Sequence, residues 1–209
     1  MAAAYLQSWV PVLQSILPRS GPSAAPLPEI GAQAPALPGT DGGDLITRGK
    51  SQGTPTLVAF VRHCGCPFAE KEAKLLAEET KKHKNLHVII VQHSEEKETE
   101  EWFERIGAKA AFTDSSRYTL IADPSRELYA AWGIGVLPWT GMVNGNVMGA
   151  LKSLKESDGI DLTPTGKGSW RWQNSGGFAV DSQGVVKWRK VAVDSSDMCD
   201  YSEAAGTVV

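Results

Sequence analysis

The segment Thr56-Leu57-Val58-Ala59-Phe60-Val61-Arg62-His63-Cys64-Gly65-Cys66-Pro67 constrains the chain most. Leu57 to Val61 is short, apolar and partly β-branched, the pattern of a buried strand. Pro67 suits the first turn of a helix, where the N–H it lacks would have no partner. Cys66 is thereby placed at a helix N-cap, where unpaired N–H groups and the helix dipole favour negative charge. A thiolate is such a charge, so the position predicts a nucleophilic cysteine.

Around this segment, 209 residues suit one domain with a tail. A 42% hydrophobic and 22% charged composition predicts a globular chain. A net charge of −3 without a long basic run argues against a nucleic-acid partner. No apolar run approaches the roughly 20 residues of a membrane span. Cys64, Cys66 and Cys199 are too few for a secreted disulfide scaffold. Two of them flank a single glycine, which predicts reactive thiols in a reducing compartment, the cytoplasm. The first 17 residues lack a basic leader and are broken by Gln7, Ser8 and Pro11, so no signal peptide is expected. Tyr5, Leu6, Trp9, Val10, Leu13 and Ile16 fit one face of an amphipathic helix.

Residues 18–29, rich in Pro, Ser and Ala, read as a linker. The boundaries expected are an extension and linker over 1–27 and a domain over 28–205, with an insert at about 138–175. Leu45-Ile46 suggests a short edge strand, and the helix from Pro67 should run to about Lys82. Leu86 to Val91 and Tyr118 to Ala122 read as further strands. Between them Ser94 is the expected cap of an element carrying Trp102, Phe103 and Ile106 and ending at Gly107. A short helix is expected over Arg126 to Trp132, and one helical candidate, Val147 to Leu154, in the irregular stretch 133–176. Gly177 to Asp181 and Val185 to Arg189 form a hairpin pattern around Ser182-Gln183-Gly184. This order predicts an α/β fold, a central mixed sheet with helices on both faces.

Four stretches give the chain a family resemblance. Ile30-Gly31-Ala32-Gln33-Ala34-Pro35 resembles the "VGxxAP" opening of the AhpC/TSA family, and Cys66-Pro67 its nucleophile motif. Ile121-Ala122-Asp123-Pro124, with Tyr129-Ala130 and Trp132-Gly133-Ile134, resembles its "SDP…AYGV". Phe178 to Val186 resembles its last hairpin. Val61-Arg62-His63 and Trp172-Gln173-Asn174-Ser175-Gly176-Gly177 resemble a peroxiredoxin-like branch. The resemblance covers residues 28–205. It implies a thioredoxin-like fold and a thiol-dependent oxidoreductase that reduces peroxides or disulfides. A thiol reductant such as thioredoxin or glutathione, no cofactor, and a homodimer as one possible assembly accompany that expectation. Several positions depart from the family pattern. Ala59 and His63 stand where peroxiredoxins carry Pro and a Thr/Ser hydroxyl. Ala69 stands where C-x-x-C relatives carry a second cysteine, and the arginine usual before the hairpin has its nearest candidate earlier, at Arg171.

Cys66 is the candidate nucleophile and Cys64 the candidate resolving thiol, in a tight ring whose disulfide should be easily reduced. Packing beneath the turn is the other role open to Cys64. Cys199 is expected to be an incidental surface cysteine, with resolution of Cys66 from the same or another subunit as the alternative. Arg62 and His63 are candidates for electrostatic support or acid–base work; strand alternation brings only one of them to the site, and His63 is preferred. His63, Cys64 and Cys66 are too crowded to hold a metal, and none is expected. Thr165-Gly166-Lys167-Gly168-Ser169 lacks the spacing of a phosphate loop. Pro67, Trp139 and Trp172 are candidate substrate-binding residues, because an aromatic, glycine-rich insert beside a nucleophile can cover a bulky ligand. That feature and the missing hydroxyl motivate an alternative: isomerisation, conjugation or rearrangement of a bulky organic molecule without peroxidase activity. Pro138 is a lesser candidate for a cis-proline facing the thiol.

Overall fold

The computed structural model describes Leu17, residues 21–39 and residues 41–209. The amphipathic helix expected between Tyr5 and Ile16 lies outside the described residues. Five strands form one sheet: β1 (Thr56–Phe60), β2 (His87–Gln92), β3 (Tyr118–Ala122), β4 (Gly176–Val180) and β5 (Val186–Val191). Their order across the sheet is β3-β2-β1-β4-β5. β1, β2 and β3 run parallel, while β4 is antiparallel to both β1 and β5. The parallel strands need crossovers, which α2 (Pro67–Lys82) supplies between β1 and β2. α3 (Glu96–Arg105) and α4 (Ala108–Ala111) lie between β2 and β3.

Alternation along the strands divides the core into two layers. Leu57, Ala59, Val88, Ile90 and Ala179 face one side, with Ala69, Ala73 and Leu76 of α2, Trp102 and Phe103 of α3, and Tyr201 and Ala204 of α8 (Tyr201–Gly206). Val58, Phe60, Ile89, Val91, Phe178 and Val180 face the other, with Leu45 and Ile46 of α1 (Leu45–Gln52) and Tyr129 of α5 (Glu127–Ala131). Burying side chains of this size stabilises by roughly 1.5–3 kcal/mol each. Phe60 anchors the second layer, with ring centroids 5.0 Å from Tyr129, 5.5 Å from Trp132 and 6.0 Å from Phe178.

Several local expectations change. Leu45 and Ile46 open α1 rather than an edge strand, because Asp44 caps them, its carboxylate accepting from the N–H groups of Ile46 and Thr47, each at 3.2 Å. Ser94 is not the cap of α3; Glu95 holds that position, and the Ser94 hydroxyl turns inward to Ser169. The insert carries two helices, α6 (Trp139–Met142) and α7 (Gly145–Asp158), the second longer at both ends than the pattern indicated. Asn144 caps α7 by accepting from Val147 N–H at 2.9 Å, and Gly159 ends it in a left-handed conformation. No peptide bond among the described residues is cis, so Pro138 enters α6 through a trans bond. Ala25 N–H donates to Ala130 O at 2.8 Å, and Arg189 holds the carbonyls of Leu27 and Pro28, so this part of the expected linker lies against the domain. No described helix is long and apolar enough to cross a membrane.

Candidate active site

Cys66 lies where β1 hands over to α2. The chain turns through Gly65, at φ +93°, and Cys66 N–H donates to His63 O at 3.0 Å. Cys66 is the N-cap of α2, with Pro67 in the first turn, and its side chain makes no capping hydrogen bond. The thiol therefore stands at the positive end of a 16-residue helix. The Arg171 guanidinium lies within electrostatic range of it: burial pulls the Arg171 pKa down and the charge of Cys66 pushes it back up. Cys66 is only 4% exposed, so reagents reach it through a narrow opening or after local movement.

The cover comes from the insert. Val147 and Leu154 of α7 pack into the layer that holds Cys64, Cys66 and Phe68. Beyond α7, residues 159–173 cross the cysteine turn as a strap. Thr163 N–H donates to Gly65 O and Gly166 N–H to Cys64 O, each at 3.3 Å. A Cβ on Gly65 would stand 2.6 Å from the carbonyl oxygens of both Thr163 and Pro164, so only glycine fits beneath the strap.

Arg62 and His63 are both buried. Arg62 spends its guanidinium on the strap: Nη1 donates to Gln173 O at 3.1 Å and Nη2 to Arg171 O at 2.7 Å, with Met142 Sδ at 3.2 Å. It thus fixes the backbone that carries Arg171. His63 Nδ1 donates to Cys64 O at 3.0 Å, and burial followed by the charge of Arg62 holds its pKa well below the usual histidine range. The ring is neutral, so the positive charge near Cys66 comes from Arg171.

Cys64 points into the protein. Its Sγ lies 3.7 Å from Glu98 O and accepts from Gln92 Nε2 at 2.8 Å. Burial raises its pKa to about 12, partly offset by hydrogen bonds from Ser94 and Ser169. Cys199 is not a surface cysteine. It is 4% exposed, its N–H donates to Glu72 Oε1 at 3.1 Å, and its sulfur occupies the space over Gly177. Burial and then the Glu72 charge raise its pKa. Cys64, Cys66 and Cys199 are all free thiols.

Trp139 and Trp172 pair on the insert, with ring centroids 5.1 Å apart and planes at 32°. Trp139 is 70% exposed. Trp172 follows Arg171 directly, and its carbonyl accepts from Leu137 N–H at 2.8 Å. Pro67 is buried in the first turn of α2. A cavity of about 550 Å³ lies elsewhere, between the start of α3 and residues 120–128, and contains none of these candidates. Among the described residues no three His, Cys, Asp or Glu side chains gather as a metal site.

Sequence reading missed Gln92, His93 and Glu72. Gln92 and His93 extend the apolar strand β2 with polar residues, and both are fully buried. His93 Nε2 donates to Trp170 O at 2.9 Å, tying the strap to β2. Glu72 falls between Ala69 and Leu76 on the buried stripe of α2, a position its helical spacing could have flagged.

The sequence pattern of the AhpC/TSA family matches residues 30–189. Among solved structures, a peroxiredoxin-like protein from Aquifex aeolicus shares 14% identity at a TM-score of 0.55, over 88% of this chain and 87% of that one. A cysteine-to-serine mutant of peroxiredoxin 6 from Arenicola marina shares 14% identity at a TM-score of 0.57, over 85% of this chain and 70% of that one. A yeast mitochondrial 1-Cys peroxiredoxin, also 14% identical, aligns at a TM-score of 0.53 over 85% and 73% of the two chains. At these identities the likeness establishes the thioredoxin-like fold. No curated protein sequence matches the chain. With the family pattern spanning most of its length and Cys66 at the strand-to-helix turn of a mixed sheet, the chain belongs to the AhpC/TSA family and has a peroxiredoxin-like thioredoxin fold.

Proposed function

We propose that the chain is a thiol-dependent, peroxidase-like oxidoreductase acting through Cys66. The observation that carries this reading is the Cys66 thiol at the N-cap of α2 within range of the Arg171 guanidinium. Both features place positive potential at the sulfur. The Cys66 thiolate attacks one peroxide oxygen; the O–O bond breaks, the alcohol or water leaves with a proton, and Cys66 becomes a sulfenic acid. A second thiol condenses with it, releasing water and forming a disulfide. Cys64 is the intramolecular candidate, and an external thiol of the thioredoxin or glutathione kind returns both cysteines to the reduced state.

His63 stands where relatives carry a peroxide-orienting hydroxyl. Its Nδ1 is engaged as a donor, which leaves Nε2 of the neutral ring as an acceptor for a peroxide proton. Arg62 holds the strap, and Trp139 with Trp172 offers apolar surface to an organic peroxide, while Pro67 is buried in the first turn of α2. Three free thiols suit a reducing compartment such as the cytoplasm. A second reading, action on a bulky organic molecule without peroxide chemistry, draws on the exposed Trp139 and its pairing with Trp172. It predicts saturable quenching of tryptophan fluorescence by a ligand that is not a peroxide.

The decisive assay follows consumption of hydrogen peroxide and of cumene hydroperoxide in the presence of dithiothreitol. The wild type is expected to turn over and Cys66→Ser to fall to the uncatalysed background. Undiminished turnover by Cys66→Ser would falsify the proposal.

A further inference from the structure

Cys64 Sγ faces a hydrogen-bond donor on one side, while its thiol donates to the Glu98 carbonyl at 3.7 Å on the other. Gln92 Nε2 approaches its sulfur at 2.8 Å. That amide cannot turn over, because Gln92 Oε1 accepts from the backbone N–H of Ser94 at 2.5 Å. A backbone N–H is only a donor, so the oxygen must face Ser94 and the NH₂ must face Cys64. The same NH₂ reaches Arg62 O at 3.4 Å. The hydroxyls of Ser94 and Ser169 contact each other and lie near enough to the sulfur to lower its pKa against the effect of burial. Gln92, Ser94 and Cys64 are fully buried and Ser169 nearly so. Burying so many polar groups is costly unless each finds a partner. Packing beneath a turn calls for an apolar side chain, whereas these donors suit a sulfur that must take on electron density.

We propose that Gln92 is the positioning residue of the thiol pair, holding Cys64 as the sulfur that departs when a Cys64–Cys66 disulfide is reduced. This rests on the thiol-oxidoreductase reading above. An incoming thiolate R–S⁻ attacks Cys66 Sγ, which lies at the helix end and is slightly exposed where Cys64 is not. The R–S–S–Cys66 bond forms, the Cys64–Cys66 bond breaks, and its electron pair goes to Cys64. The N–H of Gln92 and the hydroxyls of Ser94 and Ser169 meet that charge until a proton released by the reductant neutralises it. The second thiol of the reductant then attacks the mixed disulfide and frees Cys66. Burial opposes a charge on Cys64, and the donors offset that opposition.

The test is the rate at which dithiothreitol reduces the oxidised full chain, with the disulfide located by mass spectrometry. Gln92→Glu keeps the acceptor for Ser94 N–H and loses the donor to Cys64. Gln92→Met serves as a neutral second variant should the buried charge prevent folding. Either folded variant is expected to be reduced about tenfold more slowly than the wild type, because the departing thiolate loses a donor before it is protonated. A merely structural glutamine would lower the melting temperature and leave the reduction rate where it was. A folded variant with the wild-type reduction rate overturns the inference while the Cys66 reading stands. An oxidised wild type lacking a Cys64–Cys66 disulfide overturns it as well, and Cys66→Ser turnover then decides the broader reading.

Discussion

Glu72 is a carboxyl inside the core, 2% exposed, whose Oε1 accepts from Cys199 N–H at 3.1 Å and Tyr201 Oη at 3.4 Å. Burial raises its pKa to about 7, although both hydrogen bonds and the charges of Arg62 and Lys190 pull the other way. The folded value exceeds the unfolded one, so the folded state holds the proton more tightly. The stability linked to that proton is fully present below about pH 4.5 and is lost as pH rises through about 7. Glu72→Gln preserves the acceptor oxygen and removes the charge. It is expected to raise stability at pH 8 by on the order of 2–3 kcal/mol and to change little at pH 4, read as urea-unfolding midpoints at both pH values. An equal effect at the two pH values would assign Glu72 a packing role alone. Arg62 shows how burial reassigns a residue: beside the cysteine motif in sequence, it serves the strap in the structure.

At the level of elements, the helix from Cys66 and the strap over it depend on one backbone position. Gly65 and Gly31 share a φ of +93°, but a Cβ at Gly31 meets nothing within 4 Å, whereas at Gly65 it meets two carbonyl oxygens. Gly31→Ala should therefore cost only left-handed strain, about 1–2 kcal/mol. Gly65→Ala adds the clash and should cost about 2–4 kcal/mol, with the strap displaced. Chemical denaturation compares the two, and trypsin cleavage at Lys167, already 74% exposed, reports the strap. Equal destabilisation without faster cleavage would mean that the strap does not bear on the turn. The strands and α2 were legible because their burial follows local period and capping. The strap was not, since its contacts join residues about a hundred positions apart, as with Arg62 and Arg171.

Across the whole molecule, three histidines are held neutral by burial. His63 and His93 are fully enclosed, with His93 at about 3, and His87 is lowered as well. Their folded values lie below the unfolded one, so the unfolded chain binds protons first as pH falls. The stability tied to their neutrality is present above about pH 6.5 and is lost below it, by about 1.4 kcal/mol per pH unit for each fully shifted histidine. Glu72 works in the opposite direction between about pH 4.5 and 7, but it is one group against several. Melting temperature is expected to fall between pH 6.5 and 5, and His93→Gln should flatten that fall whatever it does to stability at pH 7.5. A slope unchanged by His93→Gln would remove His93 from this account. His63 and His93 lie within electrostatic range of each other and His87 stands against Thr119, so no local pattern in the sequence announces their shared response.

By itself the sequence determined the parallel strands, the helix beginning at Cys66 and Pro67, the late hairpin and the family, because each is written in short-range periodicity, capping chemistry or contiguous motifs. It also marked Cys66, since a thiol at a helix N-terminus is a local arrangement. Only the tertiary structure decided what surrounds that thiol. Arg171 rather than His63 supplies the charge, because the strap folds back over the turn and burial keeps the imidazole neutral. Cys64 faces Gln92 and Glu98, and Cys199 fills the space beside Gly177 instead of lying at the surface. Charge state and orientation depend on desolvation and on partners distant in the chain, and those are fixed only when the layers close.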